Sequence, residues 1–232
     1  MGKPKSSYVL WILGHFLRLL FTLLIIAVCA GILWRVACSG NVPGALEDIT
    51  GNEVLRTALA THGDLTILEQ EQVKYTEGPN NYAYFSTDWC YFIKEADQVQ
   101  LVLYYNNSTL ERLAERKGLA EVPPAGEVVF DVKLTQYVDV TPADYVKVNE
   151  NDILTEKIEV SPSAVQVETT SLYTFFRYTF DGVDLSKDTV VIYLDMCHGE
   201  QGESFGTLRL FHREDESEER TLSSTEREII EN

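Results

Sequence analysis

Leu172–Phe180 reads LYTFFRYTF. Seven of its nine residues are aromatic or β-branched, a composition that favours strand over helix. Aromatic rings fall on both alternate sets of positions, so neither face suits water, and the stretch predicts a central strand buried on two sides. Asp181-Gly182 follows as a turn. Upstream, Ala164–Thr169 and Ile153–Val160 read as strands flanking Ser161–Ser163 (SPS), and Glu127–Val140 (EVVFDVKLTQYVDV) alternates up to Thr141-Pro142. Gln98–Tyr105 (QVQLVLYY), Asp64–Glu77 and Asn80–Thr87 extend the series, the last two joined at Gly78-Pro79. Downstream, Thr189–Met196 (TVVIYLDM) and Gly206–His212 (GTLRLFH) complete it. Eight or nine short strands with frequent turn signals predict an antiparallel β-sandwich-like domain.

Two short helices interrupt the strands. Thr50–Glu53 (TGNE) has capping-box spacing and opens a helix to about His62, stopped by Gly63. Ser108–Glu111 (STLE) repeats the pattern before a helix that Gly118 ends. Glu214–Asn232 is acidic and polar and reads as a flexible tail.

The N-terminus has a different chemistry. Leu19–Trp34 (LLFTLLIIAVCAGILW) holds no charge, and Tyr8–Leu17 is apolar apart from His15. Tyr8–Trp34 would make roughly 40 Å of helix, enough to span a hydrocarbon core of about 30 Å. A span near residues 13–36 leaves Arg18 close to one face, where its stem reaches the headgroups. Trp11, Arg18, Trp34 and Arg35 then anchor the two interfaces. The competing role for Arg18 is pairing with an acid on a partner helix. Lys3, Lys5 and Arg18 precede the run, whereas Glu47, Asp48 and Glu53 follow Arg35. The positive-inside rule then puts the N-terminus in the cytoplasm, as a single-pass signal-anchor, with the chain from about residue 37 extracytoplasmic. Residues 1–12 are expected to form a short cytoplasmic tail and interfacial start, the seven residues before the apolar run being too short for a cytoplasmic signalling domain.

A cleaved signal peptide is the rival, since Ala37–Ser39 (ACS) is a small-x-small site, but the long apolar lead-in and Arg35 argue against it. Neither Cys38, with Arg35 three residues before it, nor Cys29, preceded by Val28, fits a lipoprotein site. The organisation expected is therefore anchor, linker with short helix over 37–63, β-domain over 64–213 and tail over 214–232.

Charge narrows the function classes. The 232 residues carry a formal −17. Residues 1–35 hold four Lys+Arg and no acid, so the remainder has all 36 acids against 15 of the 19 bases. Phosphate backbones would repel such a body, which argues against a nucleic-acid-binding domain. An anionic membrane surface would repel it too.

Glu95–Gln100 (EADQVQ), Tyr105–Ser108 (YNNS) and Tyr178–Val183 (YTFDGV) resemble stretches in uncharacterised single-pass envelope proteins of Firmicutes bacteria. The resemblance covers about half of the chain and includes no catalytic motif. It implies a location outside the membrane, and no activity.

Several patterns invite chemistry. Gly202–Gly206 (GESFG) matches G-x-S-x-G, which would make Ser204 a hydrolase nucleophile if a helix followed it. The following residues alternate like a strand, and a Gly-rich hairpin loop explains the match. Cys90 and Cys197, 107 residues apart, are a candidate disulfide in an exported domain. His62, His198 and His212 show no metal-ligand spacing, and Asp181, Asp184 and Asp188 fail the EF-hand pattern because Gly182 follows the first Asp. Tyr82, Tyr84, Trp89, Tyr91, Tyr104 and Tyr105 are dense enough for a sugar-stacking platform, but sandwich core and cross-strand pairing are the better explanation. Asn106–Thr109 (NNST) contains two glycosylation sequons that helix capping also explains.

The resulting expectation is a membrane-spanning extracytoplasmic protein that binds or scaffolds and does not catalyse. No cofactor or metal is implied, and the expected partner is another envelope protein or a wall glycan. The alternatives are an envelope hydrolase using Ser204, or an accessory subunit of a membrane protein complex.

Overall fold

The computed structural model describes residues 5–39, 42–70, 74–75, 86–127, 131–138, 156–185, 189–198, 203–212 and 218–232. The chain divides into two compact units, Met1–Asn41 and Val42–Asn232.

The first unit is one helix, α1 (Lys5–Ser39). Its Leu, Ile and Ala content favours helix, and no proline interrupts it. Trp11–Arg35 within it is 25 residues long, with mean hydropathy 2.6 and no part buried. This segment is long and apolar enough to cross a membrane.

The second unit is mostly antiparallel β. Its elements are α2 (Gly44–Glu47), α3 (Glu53–His62), β1 (Thr66–Gln70), β2 (Lys74–Tyr75), β3 (Ser86–Ile93), a 3-10 turn (Lys94–Ala96), β4 (Gln98–Asn106) and a second 3-10 turn (Asn107–Thr109). There follow α4 (Leu110–Lys117), β5 (Asp131–Val138), β6 (Glu156–Val160), β7 (Ala164–Thr169), β8 (Tyr173–Asp181), β9 (Thr189–His198), β10 (Glu203–His212), β11 (Glu218–Thr221) and α5 (Ser224–Glu231). The strands form a six-stranded sheet, β11-β1-β3-β4-β8-β7, and a five-stranded sheet, β2-β10-β9-β5-β6.

Alternation along β4 and β8 explains the packing. Leu101 and Leu103 on β4, with Phe176 and Tyr178 on β8, join Leu134 and Leu194 of the other sheet in one apolar cluster. The opposite face of the six-stranded sheet presents Val102, Phe175, Trp89 and Tyr91 to a second cluster. That cluster is closed by Leu46, Ile49, Leu55, Leu59 and Ile230, which come from the helical segments. The strand Tyr173–Asp181 is thus internal and buried on both faces, as LYTFFRYTF predicts.

Three expectations are corrected. Of the tail expected over Glu214–Asn232, residues 218–232 are not loose: β11 pairs with β1 from Thr66↔Thr221 to Glu69↔Glu218, and α5 carries a full capping box between Ser223 and Glu226. The acidic composition hides an amphipathic pattern in which Ile230 is fully buried. Residues 42–63 are part of the β unit rather than a linker, because Leu46, Ile49 and Leu55 lie in its core. The cap of α3 is Asn52, whose side chain accepts from the Leu55 N–H at 3.0 Å, not Thr50, which bonds elsewhere. Gly63 does end that helix, at φ +81°, its N–H bonding the Leu59 carbonyl. The strand at Ser86–Ile93 overlaps the end of the one expected over Asn80–Thr87, whose residues 80–85, with Gly78-Pro79, lie outside the described residues.

Candidate functional site

On α1, Trp11 and Trp34 sit 23 residues apart, roughly 35 Å along the axis. Trp11, Arg18, Trp34 and Arg35 are all exposed. The polar groups between them bond within the helix: His15 Nδ1 lies 3.0 Å from the Trp11 carbonyl, and Thr22 Oγ1 donates to the Arg18 carbonyl at 2.9 Å. Trp11, His15, Arg18 and Thr22 are spaced four, three and four residues apart and so share one helix face.

In the β unit a polar seam crosses the covered face of the six-stranded sheet. Gln100 Oε1 accepts the Thr50 N–H at 2.8 Å, while its Nε2 donates to the Thr50 carbonyl at 2.9 Å and to Gln98 Oε1 at 2.8 Å. Gln98 in turn donates to Asp181 Oδ1 at 2.6 Å. Beside them Arg177, only 3% exposed, donates to Thr50 Oγ1, to the Asp48 carbonyl and to Gln166 Oε1. Its guanidinium stands 5.6 Å from the Trp89 ring centroid, in cation–π range. Burial lowers its pKa to about 10, against the raising influence of Asp48 and Tyr91, and it stays charged at neutral pH. The seam holds the segment before α3 on the sheet, a positioning role. Sequence reasoning passed over it, although Gln98, Gln100 and Arg177 are conspicuous as polar residues inside apolar strands.

A second knot fixes the C-terminus. Arg220 on β11 donates to Glu69 Oε2 at 2.9 Å and, with both terminal nitrogens, to Glu226 at 2.8 and 2.7 Å. This forked geometry matches guanidinium to carboxylate. Burial raises the Glu226 pKa, but the bonds from Arg220 and from Ser223 outweigh it and hold the carboxyl below its usual range.

Between α3 and the turn at Lys94–Ala96 lies an open groove of about 420 Å³, lined by Glu53, Val54, Ala58, His62, Glu95 and Asp97 among others. Its acids are not poised as an acid–base pair. Both Glu95 oxygens accept from Thr66, at 2.6 and 2.7 Å, and these bonds prevail over burial to lower its pKa. Glu53 is 3.3 Å from Arg56. Asp97 is pushed up by burial and by Asp184.

The sequence candidates separate cleanly. Ser204 lies inside β10, opposite Cys197, and the strand continues to His212, so the strand-to-helix elbow of a hydrolase is absent. Trp89, Tyr91 and Tyr105 are buried and Tyr104 is half-buried, so these rings belong to the core; Tyr82 and Tyr84 lie outside the described residues. Gly182, at φ +84°, makes the turn after β8, and the Asp97 backbone carbonyl accepts the Gly182 and Val183 N–H groups at 2.8 Å each; Asp188 lies outside the described residues. Asn106 caps Ser108, while Asn107 bonds Thr170 and Thr174, so both sequon amides are engaged. Cys90 is a free, fully buried thiol on β3 of one sheet. Cys197 is on β9 of the other, its side chain outside the described residues along with that of His198. His62 and His212 are on separate elements, and among the described residues no group of three His, Cys, Asp or Glu could hold a metal ion.

Comparison with protein-family models, curated proteins and solved structures yields no match.

Proposed function

We propose that the chain is a membrane-anchored, extracytoplasmic binding or scaffolding protein of the cell envelope, with a β-sandwich-like body. The observation that carries this reading is the 25-residue segment Trp11–Arg35, of mean hydropathy 2.6 and wholly unburied, ahead of a strongly acidic β unit. Exposing so much apolar surface to water is strongly unfavourable, and lipid removes that cost. The balance of Lys3, Lys5 and Arg18 against Glu47, Asp48 and Glu53 orients the β unit outward. A partner protein or a wall glycan is the proposed ligand.

The test uses the full chain in its own cells. Alkaline carbonate washing is expected to leave the protein in the membrane pellet, and protease added to intact cells is expected to remove Val42–Asn232. Release by carbonate, or full protection with the marker on the outer face degraded, refutes the reading.

The shared face of Trp11, His15, Arg18 and Thr22 favours a second reading, an accessory subunit whose Arg18 pairs with an acid on a partner helix. Loss of a co-purifying membrane partner in Arg18→Leu supports it, and unchanged co-purification removes it.

A further inference from the structure

Among the described residues four strands form the edges of the two sheets: β11, β7, β2 and β6. Edge strands invite pairing with other chains, and proteins blunt them with charge, shortness, bulges or proline. Three of the four are blunted. β2 has two residues, β11 (EERT) is charged at three of four positions, and β6 (EKIEV) at three of five. β7 (AVQVET) has six residues, all exposed, a single charge, no proline and an unbroken register with β8.

Its open side can be assigned residue by residue. The turn into β8 is closed by the Thr170 N–H donating to the Tyr173 carbonyl at 2.8 Å. Counting back in steps of two, Glu168, Gln166 and Ala164 turn their backbone groups to β8. Val165, Val167 and Thr169 therefore turn their N–H and C=O groups away from it. Among the described residues no backbone bond meets these groups. The side chains of Val165 and Val167 are 37% and 36% exposed. The loop containing Val122, 51% exposed, runs close by, since a Cβ added at Gly126 would stand 2.9 Å from Thr169 Oγ1 and 3.8 Å from Val167 Cγ1. Residues 119–127 and 160–172 contain Glu121, Glu127 and Glu168 and no Lys or Arg.

We propose that β7 accepts an extended segment of a partner protein as an added antiparallel strand, and that this segment alternates β-branched apolar residues with basic ones. The apolar residues lie across from Val165 and Val167, and the basic residues share the face of Glu168. Backbone bonds supply affinity that does not depend on side chains, and the alternation supplies specificity. A second copy of the chain is the poorer occupant, because it would bring Glu168 and another strongly acidic body to the same edge.

The test takes the full chain in detergent micelles and a fluorescein-labelled peptide, Lys-Val-Lys-Val-Lys-Val-Lys, against a peptide of the same composition with its valines in one block. The alternating peptide is expected to bind at least tenfold tighter and to slow amide exchange at Val165, Val167 and Thr169. Val167→Pro removes an outward N–H without touching a β8 bond, and Val167→Lys blunts the edge with no backbone change. Each is expected to abolish the preference with an unchanged melting temperature. Equal affinity for the two peptides, or a preference that survives Val167→Lys, overturns the proposal. Concentration-dependent self-association that Val167→Lys abolishes overturns it in favour of a second copy.

Discussion

Ile230→Ala tests whether the C-terminal residues belong to the fold. Ile230 is 0% exposed and sits among Leu55, Leu59 and Phe175. The change deletes three carbons, about 2.4 kcal/mol at about 0.8 kcal/mol each. A cavity cost adds to this, because α5 cannot follow the void. Its backbone is held where the Ile230 carbonyl accepts from Arg56 Nε at 3.0 Å, and Glu226 is clamped by Arg220. The expected loss is about 3 kcal/mol, inside the range of about 2–5 for such truncations. At about 2–4 °C per kcal/mol for a unit of this size, the melting temperature falls by roughly 6–12 °C. The assay is thermal and urea unfolding of the full chain in micelles, followed by near-ultraviolet circular dichroism. Glu231→Ala, at an exposed position of the same helix, serves as the control and is expected to shift stability by no more than about 0.5 kcal/mol. Equal effects of the two variants would show that α5 does not dock, and the burial argument would fail.

Gly51→Ala is expected to cost about 1–3 kcal/mol, because its Cβ would stand 2.4 Å from the Ile229 carbonyl oxygen; unchanged stability would refute that close approach. Gln100→Leu leaves the Thr50 N–H and C=O without their partner, at an expected cost of about 2–3 kcal/mol, checked by urea unfolding and by faster exchange at the Thr50 amide. Glu226 titrates below its ordinary value when folded, so it contributes stability at pH above about 4.3 that is lost as the pH falls through the folded value. Urea midpoints at pH 7, 4.5 and 3 are expected to fall in that order, and Glu226→Gln to flatten the trend. Burial pushes the Cys90 thiol pKa upward, so N-ethylmaleimide is expected to modify it only after unfolding; rapid native labelling, or a Cys90–Cys197 peptide in an unreduced digest, refutes this.

The strands that bury both faces were the most legible, because their pattern has no rival. Gln98–Asn106 and Tyr173–Asp181 are too short and too rich in β-branched and aromatic residues for helix, and the structure has both within a residue or two of the expected ends. Ser86–Ile93 was harder. Its interior, TDWCY, contains Asp88 and a register shift between Thr87 and Cys90, so period-two alternation breaks where it would be sought. The covering helices were hardest. α5 spans eight residues with two apolar side chains, Ile229 and Ile230, and composition alone reads it as a solvated tail. What folds it is tertiary: the Arg220 clamp, the Ser223 cap and the space above Phe175. The polar seam was visible as anomalies at Gln98, Gln100 and Arg177, but its purpose depends on Thr50, more than forty residues away in sequence.

The covering of the six-stranded sheet also restricts where recognition can occur. One face meets the other sheet, and the second lies under residues 42–62 and α5, which reach it from opposite ends of the unit. A sheet buried on both faces has no concave platform to offer a ligand, so the dense aromatic residues around Trp89 serve packing. Contacts that this sheet makes with another molecule are then left to its edges and to the segments that cover it, the acidic groove beside α3 among them. The groove acids Glu95 and Glu53 are already bonded to Thr66 and Arg56, and burial and Asp184 push the Asp97 pKa up. A ligand there would have to displace existing bonds. The edge at β7 asks for no such exchange, because among the described residues no backbone bond meets its outward groups, and pairing them with a strand of basic character relieves the local excess of carboxylates as well.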